Sequence, residues 1–228
     1  MNLLCILSSV SYFEKTQKEI GTWLEELYIP YYELKNQGVK IRFASPLGGK
    51  APVDPLSIEY FKTHKLYEHY LADNDFSEEI NNTLKLSSIN SNDYTGLFLP
   101  GGYSPLFDLF DDKDVNSLIL EFNASNKLVS SICHAGGVLA NIKNEDGSFF
   151  IKDKKVTSFS NEEEDFVGMT EFVPFLPETE LIKSGAIYHS GAINTCFVIC
   201  DKNLITGQNP ASAHELANKI LSKLQVSI

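Results

Sequence analysis

The chain has 228 residues, 43% of them hydrophobic, with a formal net charge of −11 and Arg42 as its only arginine. That length and apolar content predict one domain over residues 1–228, and an acidic chain with a single guanidinium is excluded as a binder of nucleic-acid backbones. No apolar run is long enough to predict a transmembrane helix, and Met1-Asn2-Leu3-Leu4-Cys5 lacks the basic start of a signal peptide, so no membrane partner is expected.

Strand and helix signals alternate along the chain. Leu3 to Leu7 reads as an apolar strand. Thr22 to Gln37 follows as an amphipathic helix ending at Gly38, with Pro30 expected to kink or break it. Val39 to Ala44 is a second strand, closed by Ser45-Pro46-Leu47-Gly48-Gly49. From Ala51 to Ser91 the chain is polar and irregular, with one helix near Ser77 to Leu84. Gly96 to Pro100 is a buried strand ending at Gly101-Gly102, and a helix over Asp114 to Ala124 comes next. Leu128 to Ile132 runs into Cys133-His134, where small residues open another helix. Phe149 to Ile151 and Lys155 to Phe159 read as a hairpin, followed by a helix around Pro177 to Lys183. Thr195 to Cys200 and Leu204 to Thr206 flank the tight turn Asp201-Lys202-Asn203, and Pro210 opens a last helix to Leu224. This interleaving predicts an α/β fold with a mainly parallel sheet and helices on both faces.

The four cysteines, Cys5, Cys133, Cys196 and Cys200, form no CxxC pair and no disulfide framework, which fits a reducing, cytoplasmic setting. Cys196 and Cys200 have neither the spacing nor the histidines of a zinc site, so strand packing is expected of them and no metal. Cys133 is different. A strand-to-helix turn pushes its turn residue out at the C-terminal edge of a parallel sheet, where open α/β folds hold their sites. A thiol there faces the helix N-terminus, which favours thiolate, and the free N–H groups of that turn can stabilise an oxyanion. The alternative is a buried core cysteine.

A nucleophilic cysteine needs acids and bases beside it. Glu25 and Glu26 point about 100° apart on the first helix, so one can face inward with a raised pKa and exchange a proton with the thiol, or both can be solvated. In Asn161-Glu162-Glu163-Glu164-Asp165, one acid can orient the His134 imidazole as the third member of a Cys-His-acid triad, or the run simply starts a helix. Gly101-Gly102 lets backbone N–H groups approach a ligand, as an oxyanion turn or a plain turn would. It matches neither GxGxxG nor a P-loop, so no nucleotide site is expected. His64 and His69 read as surface residues, and His189 and His214 as structural or pocket-side ones.

Several stretches together resemble a known family. They are Glu26 ahead of Pro30-Tyr31-Tyr32, Ala44-Ser45-Pro46-Leu47-Gly48-Gly49, Asp93 to Gly102, Leu106-Phe107-Asp108-Leu109, Ile132-Cys133-His134, Lys154 to Glu164, and Leu204 to Ala213. In this order they resemble the PfpI-type superfamily of class I glutamine-amidotransferase-like proteins, and more narrowly its heat-shock-protein-31-like glyoxalase III branch. The resemblance implies a flavodoxin-like three-layer sandwich. It also implies a nucleophilic Cys133 with His134 beside it, an acid Glu26 on the first helix, and a triad-like acid Glu164. Gly102 would belong to the second oxyanion turn, with the His134 N–H as the other donor. The implied activity is a glutathione-independent conversion of methylglyoxal and related 2-oxoaldehydes to D-lactate-type hydroxy acids, without metal or organic cofactor. Chaperone, protein deglycase or cysteine redox sensor is the alternative, and a homodimer is a candidate assembly.

Three departures from the family pattern stand out. Cys133-His134-Ala135-Gly136-Gly137 replaces Cys-His-Gly-Pro, which should loosen the helix start. Gly101-Gly102-Tyr103-Ser104 replaces Gly-Gly-His-Gly, so a pocket-wall histidine becomes Tyr103. An aromatic-rich segment expected near the pocket reads Tyr188-His189-Ser190-Gly191-Ala192. A glutaminase-like reading would need a late His-x-Glu dyad, and His214-Glu215 lacks that spacing.

Overall fold

Alternate side chains of a strand face opposite ways, and the first strand divides the core accordingly. In the computed structural model, which describes residues 1–226, strand β1 (Asn2–Ile6) sends Leu3 and Cys5 into one buried cluster and Leu4 and Ile6 into another. The sheet around it continues with β2 (Lys40–Ser45), β3 (Leu84–Lys85), β4 (Gly96–Leu99), β5 (Leu128–Ile132), β6 (Val198–Asp201) and β7 (Leu204–Gly207). Its spatial order is β6-β7-β5-β4-β1-β2-β3. Every neighbouring pair is parallel except the β6–β7 hairpin, whose turn sets Lys202 at φ +57°.

The helices cover both faces, giving the three-layer flavodoxin-like sandwich. On one side α1 (Leu24–Asn36) packs against the last helix, Ala213–Val226, and against α2 (Pro55–Phe61). The two short helices α3 (Tyr67–Ala72) and α4 (Asn74–Asn81) follow. On the other side α5 (Lys113–Ala124) lies on β4 and β5 through Val115, Leu118, Ile119 and Phe122. A single helical turn, Pro105–Asp108, precedes α5, and α6 (Asn161–Val167), α7 (Pro177–Lys183) and α8 (Ala213–Val226) follow it. Strand order reverses between β1 and β4, and the crevice outside their C-terminal ends is where such sheets hold ligands. Glu26 enters it from α1 and Gly101 from the end of β4.

Four expectations need correction. Pro30 does not break α1, because the helix runs through it with Pro30 itself buried; tertiary packing outweighs the lost bond to the Glu26 carbonyl. The stretch from Ala51 to Ser91 holds three helices, two of them capped by Asp54 and Asp73, and the helix expected at Ser77–Leu84 is α4, shifted towards the N-terminus. Phe149–Ile151 and Lys155–Phe159 form no hairpin. Phe150 and Ile151 bury their side chains in the second core cluster, while Lys155–Val156 pairs in parallel with Ile187–Tyr188. The segment after Cys133 is a 3₁₀ helix, Cys133–Asn141, not an α-helix.

Candidate active site

Strand β5 ends at Ile132, and Cys133 turns the chain with φ +57°. A non-glycine residue in this left-handed region is strained, and such strain persists only where the surroundings fix it. Here the Cys133 carbonyl accepts hydrogen bonds from Ser158 Oγ at 2.6 Å and from the Phe159 N–H at 3.3 Å. Ser158 can approach because residue 136 is glycine, whose added Cβ would lie 2.6 Å from Ser158 Oγ. Gly137 is packed in the same way against Phe175 and Pro177, at 3.1 and 3.2 Å from an added Cβ. The paired glycines therefore serve close packing, which replaces the expectation that they loosen a helix start.

The His134 ring bridges the thiol and a carboxylate. Its Nδ1 is 3.2 Å from Cys133 Sγ and its Nε2 is 2.8 Å from Glu164 Oε2. The Tyr103 and Phe159 rings pack on the imidazole, each with centroids 4.4 Å away. Tyr103 also donates its hydroxyl to Glu164 Oε1 at 3.2 Å. Glu164 reaches this position from the first turn of α6, where Ser160 and Glu163 form a capping box. Glu163, one residue earlier, turns the other way. It accepts from Ser160 N–H and Oγ, Gln208 Nε2, Asn194 N–H and Asn209 Nδ2.

Glu26 sits in the first turn of α1, fully buried, while Glu25 is half-exposed and accepts from the Trp23 indole. Neither Glu26 carboxyl oxygen has a hydrogen-bond partner of ordinary geometry among the described residues. Burial pushes its pKa up to about 8, against the smaller opposing effects of the Cys133 thiol and the Gly101 N–H. At neutral pH it carries a proton. Gly101 is the seam between acid and thiol: an added Cβ would lie 2.5 Å from Glu26 Oε2 and 2.7 Å from Cys133 Cβ. Gly102 adopts φ +94° beside the Gly21 carbonyl and the Trp23 N–H, where a side chain would collide.

The thiol departs from expectation. Cys133 is only 4% exposed, and burial, followed by the neighbouring Glu26, pushes its pKa well up, with the His134 N–H opposing. Desolvation outweighs the helix-start effect, so Cys133 rests as a thiol beside His134 Nδ1. Cys196 and Cys200, expected in strand packing, are exposed, and only Cys5 is a strand-buried thiol of that kind. His214 pairs with Glu33, linking α8 to α1 away from the thiol, and His189 is exposed at the end of Ile187–Tyr188. A cavity of about 690 Å³ is lined by Ile20, Lys50, Tyr70, Phe76 and neighbours, and by none of Cys133, His134, Glu26 or Glu164.

Sequence reasoning thus named the Cys, the His and both acids that come together here. It did not anticipate Ser158, Gly101 as the seam, or Tyr103 as a partner of Glu164. The Ser160-x-x-Glu163 spacing was the available sign that Glu163 is spent on capping.

A buried Cys-His-Glu array at a strained strand end, with a second acid from the first helix beside it, stands at the position of a nucleophile elbow in an open α/β sheet. The chain belongs to the DJ-1/PfpI family, which it matches over residues 20–223. It is 30% identical to the glutathione-independent glyoxalase hsp3102 of Schizosaccharomyces pombe, over 98% of this chain and 97% of that one. It is 26% identical to glyoxalase 3 of Candida albicans, over 98% of each. Among solved structures, the Rapid Encystment Protein 24 KDa of Francisella tularensis superposes with a TM-score of 0.93 at 33% identity, covering 98% of both chains.

Proposed function

We propose that the chain is a glutathione-independent glyoxalase acting on methylglyoxal and related small 2-oxoaldehydes, with Cys133 as nucleophile. The observation that carries the reading is a buried thiol with His134 Nδ1 at 3.2 Å on one side and a carboxyl held protonated up to about 8 on the other. Names borne by relatives that align over nearly the whole chain support it.

In this mechanism Cys133 Sγ attacks the aldehyde carbon while its proton passes to His134 Nδ1. The carbonyl oxygen takes a proton, giving a hemithioacetal, and Glu26, already protonated, is the acid placed for that task. Glu26 or His134 then moves the aldehyde-carbon proton to the neighbouring carbon through an enediol. The first carbon is oxidised by two electrons and the second reduced by two, so the product is a lactoyl thioester and no outside oxidant enters. Water, activated by His134 with Glu164 orienting the ring, cleaves the thioester to lactate and restores the thiol. Backbone N–H groups at Gly102 and His134 are the proposed donors to the developing oxyanions. The enzyme works as one domain in a reducing cytoplasm, where Cys133 stays unoxidised.

The test is lactate formation from methylglyoxal without glutathione, by wild type and Cys133→Ala. Catalytic lactate from wild type and none from Cys133→Ala is expected. A wild type that makes no lactate, or a Cys133→Ala variant that keeps the rate, overturns the reading; oxidation of Cys133 to sulfinate without turnover would favour the redox-sensor alternative.

A further inference from the structure

The Cys133-His134-Glu164 array leaves one oxygen of its acid to be accounted for. Glu164 is fully buried, and a buried carboxylate oxygen without a donor is costly. Oε2 meets His134 Nε2, and among the described residues Oε1 meets only the Tyr103 hydroxyl. The same Tyr103 ring lies against one side of the imidazole, with Phe159 packed on the ring as well. Gly101 and Gly102 carry Tyr103 to this place, since the left-handed Gly102 swings the chain back along Gly21–Trp23 before residue 103.

We propose that Tyr103 is a positioning residue of this site: its hydroxyl fixes the Glu164 carboxylate in the rotamer that reaches His134, and its ring holds the imidazole plane towards Cys133. It acts through Glu164 and His134. Burial and the adjacent Glu164 push the phenol far above the usual tyrosine range, so it remains a donor at every working pH. The titratable groups facing the array are Cys133, Glu26 on α1 and Glu163 on α6, with Asp54 bearing on Tyr103 itself.

Removing the hydroxyl leaves Glu164 Oε1 without its donor and makes the carboxylate more basic. A more basic carboxylate holds the His134 imidazolium more tightly, so the neutral ring needed as a base appears only at higher pH. For Tyr103→Phe, which keeps the ring, kcat should fall roughly tenfold with KM little changed, a hydrogen bond to a charged group being lost. The acid limb of the rate profile should move up by about half a pH unit or more. Tyr103→Leu, which also removes the ring, should lose more. Replacing Tyr103 by 3-fluorotyrosine strengthens the donor with little change of shape and should move the limb down; this arm stands if Tyr103→Phe fails to fold.

The proposal rests on the glyoxalase reading only for its kinetic arm. The His134 titration followed by NMR, in wild type and Tyr103→Phe, reads the same effect without turnover. A wild type inactive on 2-oxoaldehydes would sink the functional reading and leave this arm intact. A His134 midpoint and acid limb unmoved in folded Tyr103→Phe and in the fluorotyrosine protein would overturn the role of Tyr103.

Discussion

Two buried carboxyl groups flank the Cys133–His134 pair, and their surroundings are opposite. Glu164, on the α6 side, has both oxygens matched, one to His134 and one to Tyr103. Glu26, on the α1 side, is equally buried but has no partner of ordinary geometry among the described residues, and it holds its proton up to about 8. Two acids in one site are thus set to different tasks by what touches them. The matched one can orient a ring. The other can give up a proton to a substrate, and burying it has a cost to the fold at high pH.

The largest expected effect follows from that difference. Glu26→Gln keeps the shape and removes the transferable proton, so turnover should fall roughly a hundredfold or more. Glu25→Gln, at the half-exposed neighbour bonded to the Trp23 indole, should leave turnover nearly unchanged. Steady-state rates of the two variants decide the matter: equal rates would take Glu26 out of the mechanism and erase the contrast with Glu164.

The same burial predicts a gain in stability for Glu26→Gln. Glu26 has a folded pKa raised from 4.5 to about 8. The folded state therefore holds a proton that the unfolded chain releases, and this group's contribution is fully present below 4.5. It is lost as pH rises from there through about 8, by on the order of a few kcal/mol. Glutamine does not titrate. Thermal melts of wild type and Glu26→Gln should nearly coincide at pH 4 to 5 and separate towards pH 9, with the variant more stable. Parallel profiles across that range would show that the carboxyl is hydrated or paired in solution.

How far the sequence carries depends on the kind of contact. Parallel strands with apolar runs, such as Gly96–Leu99 leading to Gly101-Gly102, were legible because burial on both faces leaves a continuous apolar signature. Glu26 and Glu164 were legible by resemblance, and the capping spacing at Ser160 explains why Glu164 and not the equally buried Glu163 is free to meet His134. Three things were out of reach. The burial of the thiol depends on segments far apart in the chain, Ser158–Phe159 and Gly101 among them. The Tyr103–Glu164 bond spans 61 positions, and no local pattern encodes it. Phe149–Ile151 and Lys155–Phe159 read as two strands around a polar turn, yet Phe150, Ile151 and Val156 are drawn into the same core cluster as Leu181, and tertiary burial overrides the local preference.

The smallest effect concerns the turn that holds the two sides together. On propensity alone, Gly137→Ala would favour an α-helix by about 1 kcal/mol and bring more helix-dipole charge to Cys133. Two observations reverse that sign. The segment is 3₁₀, so the α-helical gain does not apply, and the added methyl would stand 3.1 Å from Phe175 Cε2 and 3.2–3.3 Å from Pro177. Phe175 is a ring on a loop and can yield a few tenths of an ångström; Pro177 opens α7 and yields less. The variant should therefore lose about 1 kcal/mol through overpacking. Its Cys133 titration, followed by thiolate absorbance against pH, should be unmoved, because neither Glu26, His134 nor the Cys133 carbonyl contacts change. A more stable Gly137→Ala protein with a lower Cys133 pKa would mean that the helix start governs the thiol after all, and that burial between the two carboxyls does not.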